Sequence, residues 1–322
     1  RTFRGHTDQV TSLSFSPALE QLVSGGADNT VMVWNFRPQL RSYKFTGHTA
    51  PVNDVAYAPD GRLIVSGSSD RTVRLWQPTV RGESTVLKGH AGAVRSVNMS
   101  WDGRRLLTGS DDKTAKVWSI PSKRFLCSLA GHHNWVRSAK FSPDGWLAAT
   151  ASDDKTVRLW DIEKHKCLQT YYDHSAAVNT VVFHPDGTCV AACSDDQSIK
   201  LWDARSHALL QHYPAHDKAV TDISFHPSGN YLLSSSVDKK LKLWDLREGR
   251  LVYTLHGHQR PVFASQFSSD GRYFASAGRD DVVMVWQSNF DRPAAAPRRP
   301  VGVDAPSSAK KAHPSTRVDR AP

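Results

Sequence analysis

The sequence predicts an all-β fold, a seven-bladed β-propeller with four antiparallel strands in each blade. Tryptophan, histidine and aspartate recur together at a constant interval of 42 residues. Their positions are Trp34, Trp76, Trp118, Trp160, Trp202, Trp244 and Trp286; His6, His48, His90, His132, His174, His216 and His258; and Asp28, Asp70, Asp112, Asp154, Asp196, Asp238 and Asp280. A period of about 40–45 residues that histidine opens and tryptophan closes is typical of propeller blades. One ring therefore accounts for residues 1–290.

Each unit is predicted to be a meander of four short strands. In the unit that starts at His132, the four strands are residues 134–142, 146–152, 156–161 and 166–172. The first turn is Pro143–Gly145, where proline presets φ and glycine accepts a positive φ. Repeat three has Trp101 in place of this proline, and the turn of repeat one, Ser16–Leu19, lacks the glycine.

The N-terminus is expected to close the ring. The seventh unit has no fourth strand after Trp286, and residues 2–4 align with residues 44–46, the fourth strand of the first unit. Pairing of the two ends would remove an open sheet edge. Residues 291–322 are rich in Pro, Ala, Ser, Lys and Arg, with too few apolar side chains to offset the entropy of ordering. We interpret them as a disordered basic linker.

The composition narrows the class of partner. The net charge of +10 favours acidic partners such as nucleic acid, anionic lipid or the acidic tails of proteins such as tubulin, although solubility alone explains it equally well. Apolar runs near 18 residues are absent, so no membrane span is predicted. The sequence shows no aromatic–basic stacking groove, so nucleic acid is not favoured as a partner. The four cysteines form no metal-type pair and are expected to be packing thiols in a reducing compartment.

Every unit repeats a set of His, Ser or Thr, Asp and Trp, here called the tetrad. The sets of units two to four are His48, Ser66, Asp70, Trp76; His90, Thr108, Asp112, Trp118; and His132, Thr150, Asp154, Trp160. Ser, His and Asp also compose hydrolase triads. Seven copies instead favour a structural role, in which Ser or Thr accepts from the buried indole N–H and contacts His, and His contacts Asp. We expect no catalytic residue, metal or cofactor.

The tetrad is broken once, because Ala192 replaces its Ser or Thr in the fifth unit, and Asp173 replaces the Gly that precedes His in five of the other six units. Alanine cannot accept from Trp202 or contact His174. An unmet buried polar group costs about 1–3 kcal/mol. Blade five is therefore predicted to be the least stable blade.

These motifs resemble the WD-repeat family in its seven-bladed form, and Trp-Asp itself stands at residues 160–161, 202–203 and 244–245. More narrowly, residues 3–17, 152–161 and 283–291 are similar to the proteome-of-centriole protein 1 family. That resemblance implies a propeller joined through a variable linker to a coiled coil, at centrioles and basal bodies, where the family supports centriole integrity and cilium formation. The coiled coil is not among these residues, so we expect the chain to be a fragment.

One face of the ring is predicted to bind a partner. The loop before each first strand and the turn between the second and third strands emerge on this face, called the upper face, and the resemblance makes positions there frequent contacts. The predicted contact residues are Arg95, Asp111, Trp135, Arg137, Asp153 and Asp195 in repeats three to five, and Phe263 and Arg279 in repeat seven. Exposed Trp beside Arg is the composition of an interface hot spot. Alternatively, Arg and Asp pair with each other for about 0–1 kcal/mol and bind nothing.

Two functions remain open from the sequence. The first is a non-enzymatic scaffold of the centriole or basal body, in the cytoplasm and cytoskeleton, which binds microtubules (tubulin) or inner-wall proteins. The second is a peptide-reading adaptor in a nuclear or ubiquitin-ligase complex. A reader of a single basic side chain needs an acidic, aromatic-lined hole, whereas the mixture of Arg and Asp here suits a broader protein surface. Neither function involves a small-molecule substrate.

Overall fold

The computed structural model describes residues 1–37 and 39–288, and all regular structure within these ranges is β-strand. The strands form seven separate four-stranded antiparallel sheets, one per sequence repeat. The predicted all-β, seven-bladed propeller is confirmed. The described part of the propeller runs from Arg1 to Ser288, and the predicted linker at 291–322 lies outside the described residues.

Strand β1 (Thr2–Arg4) belongs to the last blade, and the first four complete blades follow it in chain order. Blade one is β2 (Val10–Phe15), β3 (Gln21–Gly26), β4 (Thr30–Asn35) and β5 (Tyr43–Thr46). Blade two is β6 (Val52–Tyr57), β7 (Ile64–Ser68), β8 (Thr72–Trp76) and β9 (Ser84–Lys88). Blade three is β10 (Val94–Met99), β11 (Arg105–Ser110), β12 (Thr114–Ser119) and β13 (Arg124–Ala130). Blade four is β14 (Val136–Phe141), β15 (Leu147–Ser152), β16 (Val157–Asp161) and β17 (Lys166–Tyr171).

The remaining blades repeat this order. Blade five is β18 (Val178–Phe183), β19 (Cys189–Ser194), β20 (Ser198–Asp203) and β21 (Leu209–Pro214). Blade six is β22 (Val220–Phe225), β23 (Tyr231–Ser236), β24 (Lys240–Asp245) and β25 (Arg250–His256). Blade seven is β26 (Val262–Phe267), β27 (Tyr273–Gly278) and β28 (Val282–Gln287), with β1 as its outer strand.

The N-terminal strand closes the ring, as predicted. In the antiparallel pair of β1 and β28, Phe3 lies opposite Val283. The pairing continues at Arg1, whose carbonyl accepts from the backbone N–H of Val285 at 2.7 Å. Because β28 is paired on both sides, blade seven exposes no inner strand to edge-to-edge association.

The apolar core lies between neighbouring blades. Leu159 of blade four and Trp202 of blade five share one buried cluster. Across the closure, Leu22 of blade one shares another with Ala275 and Val283 of blade seven. Full burial of one such Leu or Val stabilises the fold by about 1.5–3 kcal/mol. Each blade therefore depends on its neighbours for stability, and the ring places seven similar loops on each face.

Candidate functional site

The tetrad of blade two is a continuous buried chain of hydrogen bonds. The Nε1–H of Trp76 donates to Ser66 Oγ at 2.7 Å, Ser66 Oγ lies 2.7 Å from His48 Nε2, and His48 Nδ1 lies 2.7 Å from Asp70 Oδ2. Because the Ser66 oxygen already accepts from Trp76, its hydroxyl hydrogen donates to His48 Nε2. The neutral histidine therefore carries its proton on Nδ1 and donates it to Asp70.

The next two tetrads have the same geometry. In blade three, Thr108 Oγ1 accepts from Trp118 at 3.0 Å and lies 2.7 Å from His90, which lies 2.7 Å from Asp112. In blade four, the corresponding distances through Thr150, from Trp160 to His132 to Asp154, are 2.8, 2.7 and 2.8 Å. The hydroxyls of Ser66, Thr108 and Thr150 are fully buried. Burial therefore keeps any substrate away from these hydroxyls. The hydrogen bonds instead tie the loop before each first strand to the rest of the blade.

The tetrads also perturb the pKa values of their members. Burial lowers the pKa of His48 and of His132, against the opposing effect of their carboxylate partners. Burial alone would raise the pKa of Asp70, but hydrogen bonds from Thr72 and His48 outweigh it and bring this pKa to about 2. The pKa values of Asp112 and Asp154 are lowered for the same reason. His48 and His132 are therefore neutral, and Asp70, Asp112 and Asp154 are ionised, at neutral pH.

Blade five corrects one prediction. The Nε1–H of Trp202 is not left without an acceptor at Ala192, because it donates to Asp173 Oδ2 at 2.7 Å. Asp173, the residue that replaces the usual Gly, thus takes over the role of the missing hydroxyl. His174 keeps its contact with Asp196 at 2.8 Å, but its Nε2 is buried without a partner. The repeat pattern of the sequence could not reveal this, since Asp173 lies in the loop before β18 whereas Ala192 lies in β19.

A backbone bulge places the predicted contact residues on the upper face. The register of β10 with β11 skips Arg95, between Val94 and Ser96, and that of β14 with β15 skips Arg137 in the same way. A bulge re-aims the extra side chain out of the normal alternation. Arg95, Arg137 and Phe263, which is skipped in the same way, line a central channel of about 810 Å³ together with Trp135 and Asp195 from the adjoining loops.

Six of the eight predicted contact residues form one network. The Nε and Nη2 of Arg95 donate to the two oxygens of Asp111 at 2.8 and 2.7 Å, and its guanidinium lies 5.6 Å from the ring of Trp135. Arg137 pairs with Asp153 and lies 3.7 Å from Asp195. The arginines are therefore neutralised by their own chain. Trp135 remains 45% exposed at the centre of the network, a placement that suits a binding anchor.

The other two predicted contact residues lie apart from this network, in blade seven. Phe263 is half-buried in the channel wall, and Arg279 is exposed in the turn that follows β27. The structure thus does not join all eight residues into a single patch. Their role in binding stays a prediction.

The channel wall contains a half-buried carboxyl that the sequence did not single out. Asp222 accepts from the backbone N–H of Ser265 in the next blade at 2.8 Å and from that of Ile223 at 2.9 Å. Burial raises its pKa to about 7, although these hydrogen bonds oppose the shift. Asp54 makes the same link from blade two, accepting from Val97 N–H at 2.8 Å. These carboxylates join neighbouring blades, as Ser12 does where it accepts from Val55 N–H at 2.7 Å.

Three further properties concern metals, thiols and membranes. Among residues 1–37 and 39–288, no group of three or more His, Cys, Asp and Glu side chains is placed to hold a metal ion. The four cysteines are free thiols. No helix in the described part of the chain is long and apolar enough to cross a bilayer.

The family match covers almost the whole propeller. A family model described as "WD domain, G-beta repeat" matches seven consecutive segments, residues 1–35, 39–77, 82–119, 123–161, 165–203, 207–245 and 249–287. Each segment ends at the Trp-containing third strand of a blade. Propellers of this family typically serve as interaction scaffolds and not as enzymes.

Short segments of the chain are similar to named relatives. POC1 centriolar protein homolog B of Xenopus laevis is 56% identical over 45 residues, 14% of this chain and 10% of that protein. POC1 centriolar protein homolog A of Danio rerio is 54% identical over 44 residues, and homolog A of Bos taurus is 55% identical over 44 residues, in both cases 14% of this chain and 11% of that protein. The matches span about a tenth of the length of these relatives.

Proposed function

The chain belongs to the WD-repeat family, and we propose that it is a non-enzymatic scaffold of the centriole and basal body. The relatives are centriolar by name, and more than half of the residues in the aligned segments are identical to those of this chain. In this proposal the propeller binds proteins of the centriole wall, either tubulin or inner-wall proteins. By doing so it supports centriole integrity and cilium formation, within the cytoplasm and cytoskeleton.

The observation that carries the binding proposal is the upper-face network around Trp135. Two bulges hold Arg95 and Arg137 beside an exposed tryptophan, and each arginine is fixed by an aspartate. Such pre-organised side chains lose little conformational entropy on binding. Because the arginines are already neutralised, we expect the apolar surface of Trp135 to contribute most of the affinity, and the ion pairs to determine which partner fits.

The test is localisation of the tagged chain in ciliated cells, with two upper-face variants. Trp135→Ala and Arg137→Asn introduce the residues that blade five carries at the same positions, Ala177 and Asn179, so both are expected to fold. We expect the unmodified chain to concentrate at centrioles and both variants to lose most of this signal. Gln9→Ala, the matched change in blade one, is expected to localise normally.

Three outcomes separate the alternatives. Normal targeting of both variants rejects the upper-face network as the binding site. Diffuse localisation of the unmodified chain rejects centriole binding by these residues. A chromatin signal supports instead a peptide-reading adaptor in a nuclear or ubiquitin-ligase complex.

A further inference from the structure

We propose that the opposite face of blades three and four is a second protein-binding site, which takes an acidic peptide segment with one large apolar side chain. This lower face carries the turns between first and second strands and the connections between third and fourth strands. The proposed site, called the tryptophan–arginine shelf, consists of Trp101, Arg104, Arg105, Lys123, Arg124 and Trp146. It does not depend on the upper-face function, since none of its residues belongs to the upper-face network.

The two tryptophans of the shelf are more exposed than Trp135, the tryptophan among the predicted contact residues of the upper face. Trp101 is 66% exposed and Trp146 is 57% exposed, compared with 45% for Trp135. Trp101 is nevertheless fixed, because its Nε1–H donates to the carbonyl of Asp144 at 3.2 Å and its ring lies close to Gly145. Trp146 follows directly on that turn. Rigid aromatic surfaces held in solvent are typical anchors of protein interfaces.

A cleft beside Trp101 offers room for an apolar side chain. Its volume is about 280 Å³, and its walls include Met99, Trp101, Pro143 and Phe183, with Lys140 at one side. These side chains come from the first strands of blades three to five and from the turns next to them. A single large aliphatic or aromatic side chain can bury its surface there against mostly apolar walls.

The charge of the shelf depends on the residue that ends the third strand of the blade. Blades four, five and six end this strand on an aspartate, Asp161, Asp203 and Asp245. Blade three has Ser119, which lies in register between Arg105 on β11 and Arg124 on β13. Blades one, two and seven carry the uncharged Asn35, Gln77 and Gln287 there, so both arginines of blade three lack the carboxylate that is present in blades four to six.

The missing carboxylate leaves the shelf strongly basic. Arg104, Arg105, Lys123 and Arg124 are opposed only by Asp102 in the same turns. Within the described ranges, none of the four cations lies within ion-pair distance of a carboxylate. In blade four, by contrast, Lys164 pairs with Asp161 at 3.3 Å.

The unpaired cations identify the chemistry of the partner. On the upper face, an acidic partner would have to compete with Asp111 and Asp153 for the arginines. On the shelf, Asp102 attracts Arg104 and Arg105 only from beyond ion-pair distance, so carboxylates of a partner gain charge complementarity there. An acidic segment whose apolar residue enters the cleft satisfies both features of the site.

The test uses fluorescence anisotropy with a labelled probe peptide of six Glu residues flanking a central Leu, and the same peptide with Lys in place of Glu. Trp101→Pro and Ser119→Asp are the key variants. Each introduces a residue that other blades carry at the same position, Pro143 and Asp161 for example, so the fold is expected to persist and is checked by thermal melting. Trp135→Ala is the upper-face control.

We expect the acidic peptide to bind and the basic peptide not to bind. Each shelf variant should raise the dissociation constant by at least about tenfold. Ser119→Asp should also make this constant less dependent on salt between about 50 and 300 mM. Trp135→Ala should leave binding unchanged. The proposal is overturned if the unmodified chain does not bind the acidic peptide, if folded shelf variants bind it normally, or if Trp135→Ala abolishes binding.

Discussion

Blades four and five bury the same histidine and tryptophan but hold them with different partners. In blade four, one hydroxyl, that of Thr150, accepts from Trp160 and contacts His132. In blade five, Asp173 accepts from Trp202 and nothing reaches His174 Nε2. The difference shows that the fold requires an acceptor for the buried indole N–H, and that the acceptor can come from the loop before the first strand instead of from the second strand.

The comparison also changes the expected stability of blade five. Two groups, the nitrogens of Trp202 and His174, were expected to be unmet because of Ala192. Only His174 Nε2 is left without a partner, so the expected cost falls to that of a single group, about 1–3 kcal/mol. That blade five is the least stable blade stays a prediction.

The largest effect is expected when blade four loses its hydroxyl. Thr150→Ala removes the acceptor of Trp160 and the partner of His132 together, and Gly131 stands where blade five has Asp173, so no substitute is present. We expect the free energy of unfolding to fall by about 3 kcal/mol, which urea denaturation measures. Thr150→Ser is the matched control and should be nearly neutral, because blade two carries Ser66 at this position. A Thr150→Ala variant as stable as the control would mean that the tetrad contributes little.

A smaller loss is expected when blade five loses its substitute. Asp173→Gly restores the usual residue before the histidine but leaves Trp202 Nε1–H without an acceptor, at a cost of about 1–2 kcal/mol in urea denaturation. Adding Ala192→Ser should recover this loss, since the new hydroxyl can accept from Trp202 and also contact His174. If the double variant is no more stable than Asp173→Gly alone, then Asp173 does not act through Trp202.

The repeating parts of this structure could be predicted from the sequence because the repeat constrains them. Residue types locked at 42-residue spacing identify the blades, the tetrads and the closing strand, and each position inherits its environment from six other copies. Arg95 and Arg137 were found on the upper face in this way. The bulge that aims them recurs in every blade, so position within the repeat was sufficient.

What the sequence could not reveal lies where one copy departs from the others. Asp173 replaces a glycine, and only the path of its loop shows that its carboxylate reaches Trp202. The hydrogen bonding of Asp222 depends on the neighbouring blade, whose Ser265 N–H donates to it. Trp101 was noted only as a turn variant, since its contact with Asp144 crosses from one blade to the next. Contacts between copies are therefore the part that a single repeat does not encode.

The smallest effect is the pH dependence of an intact tetrad. Burial lowers the pKa of His132 below its ordinary value of 6.5, so below that pH the unfolded chain binds a proton that the folded chain does not. The stability contributed by this neutral histidine is fully present above pH 6.5 and is lost as the pH falls below it. The lowered pKa of Asp154 acts in the same direction at more acidic pH.

The measurement is the difference between the unmodified chain and His132→Gln. Asp222 opposes the histidine, because its pKa is raised to about 7 and stability is therefore lost as the pH rises towards that value. Both proteins contain Asp222, so its effect cancels in the difference of their unfolding free energies. We expect this difference to shrink as the pH is lowered from about 8 to about 5, because only the unmodified chain loses the contribution of His132. A difference that is constant or grows on acidification would show that burial does not hold His132 neutral in the folded chain.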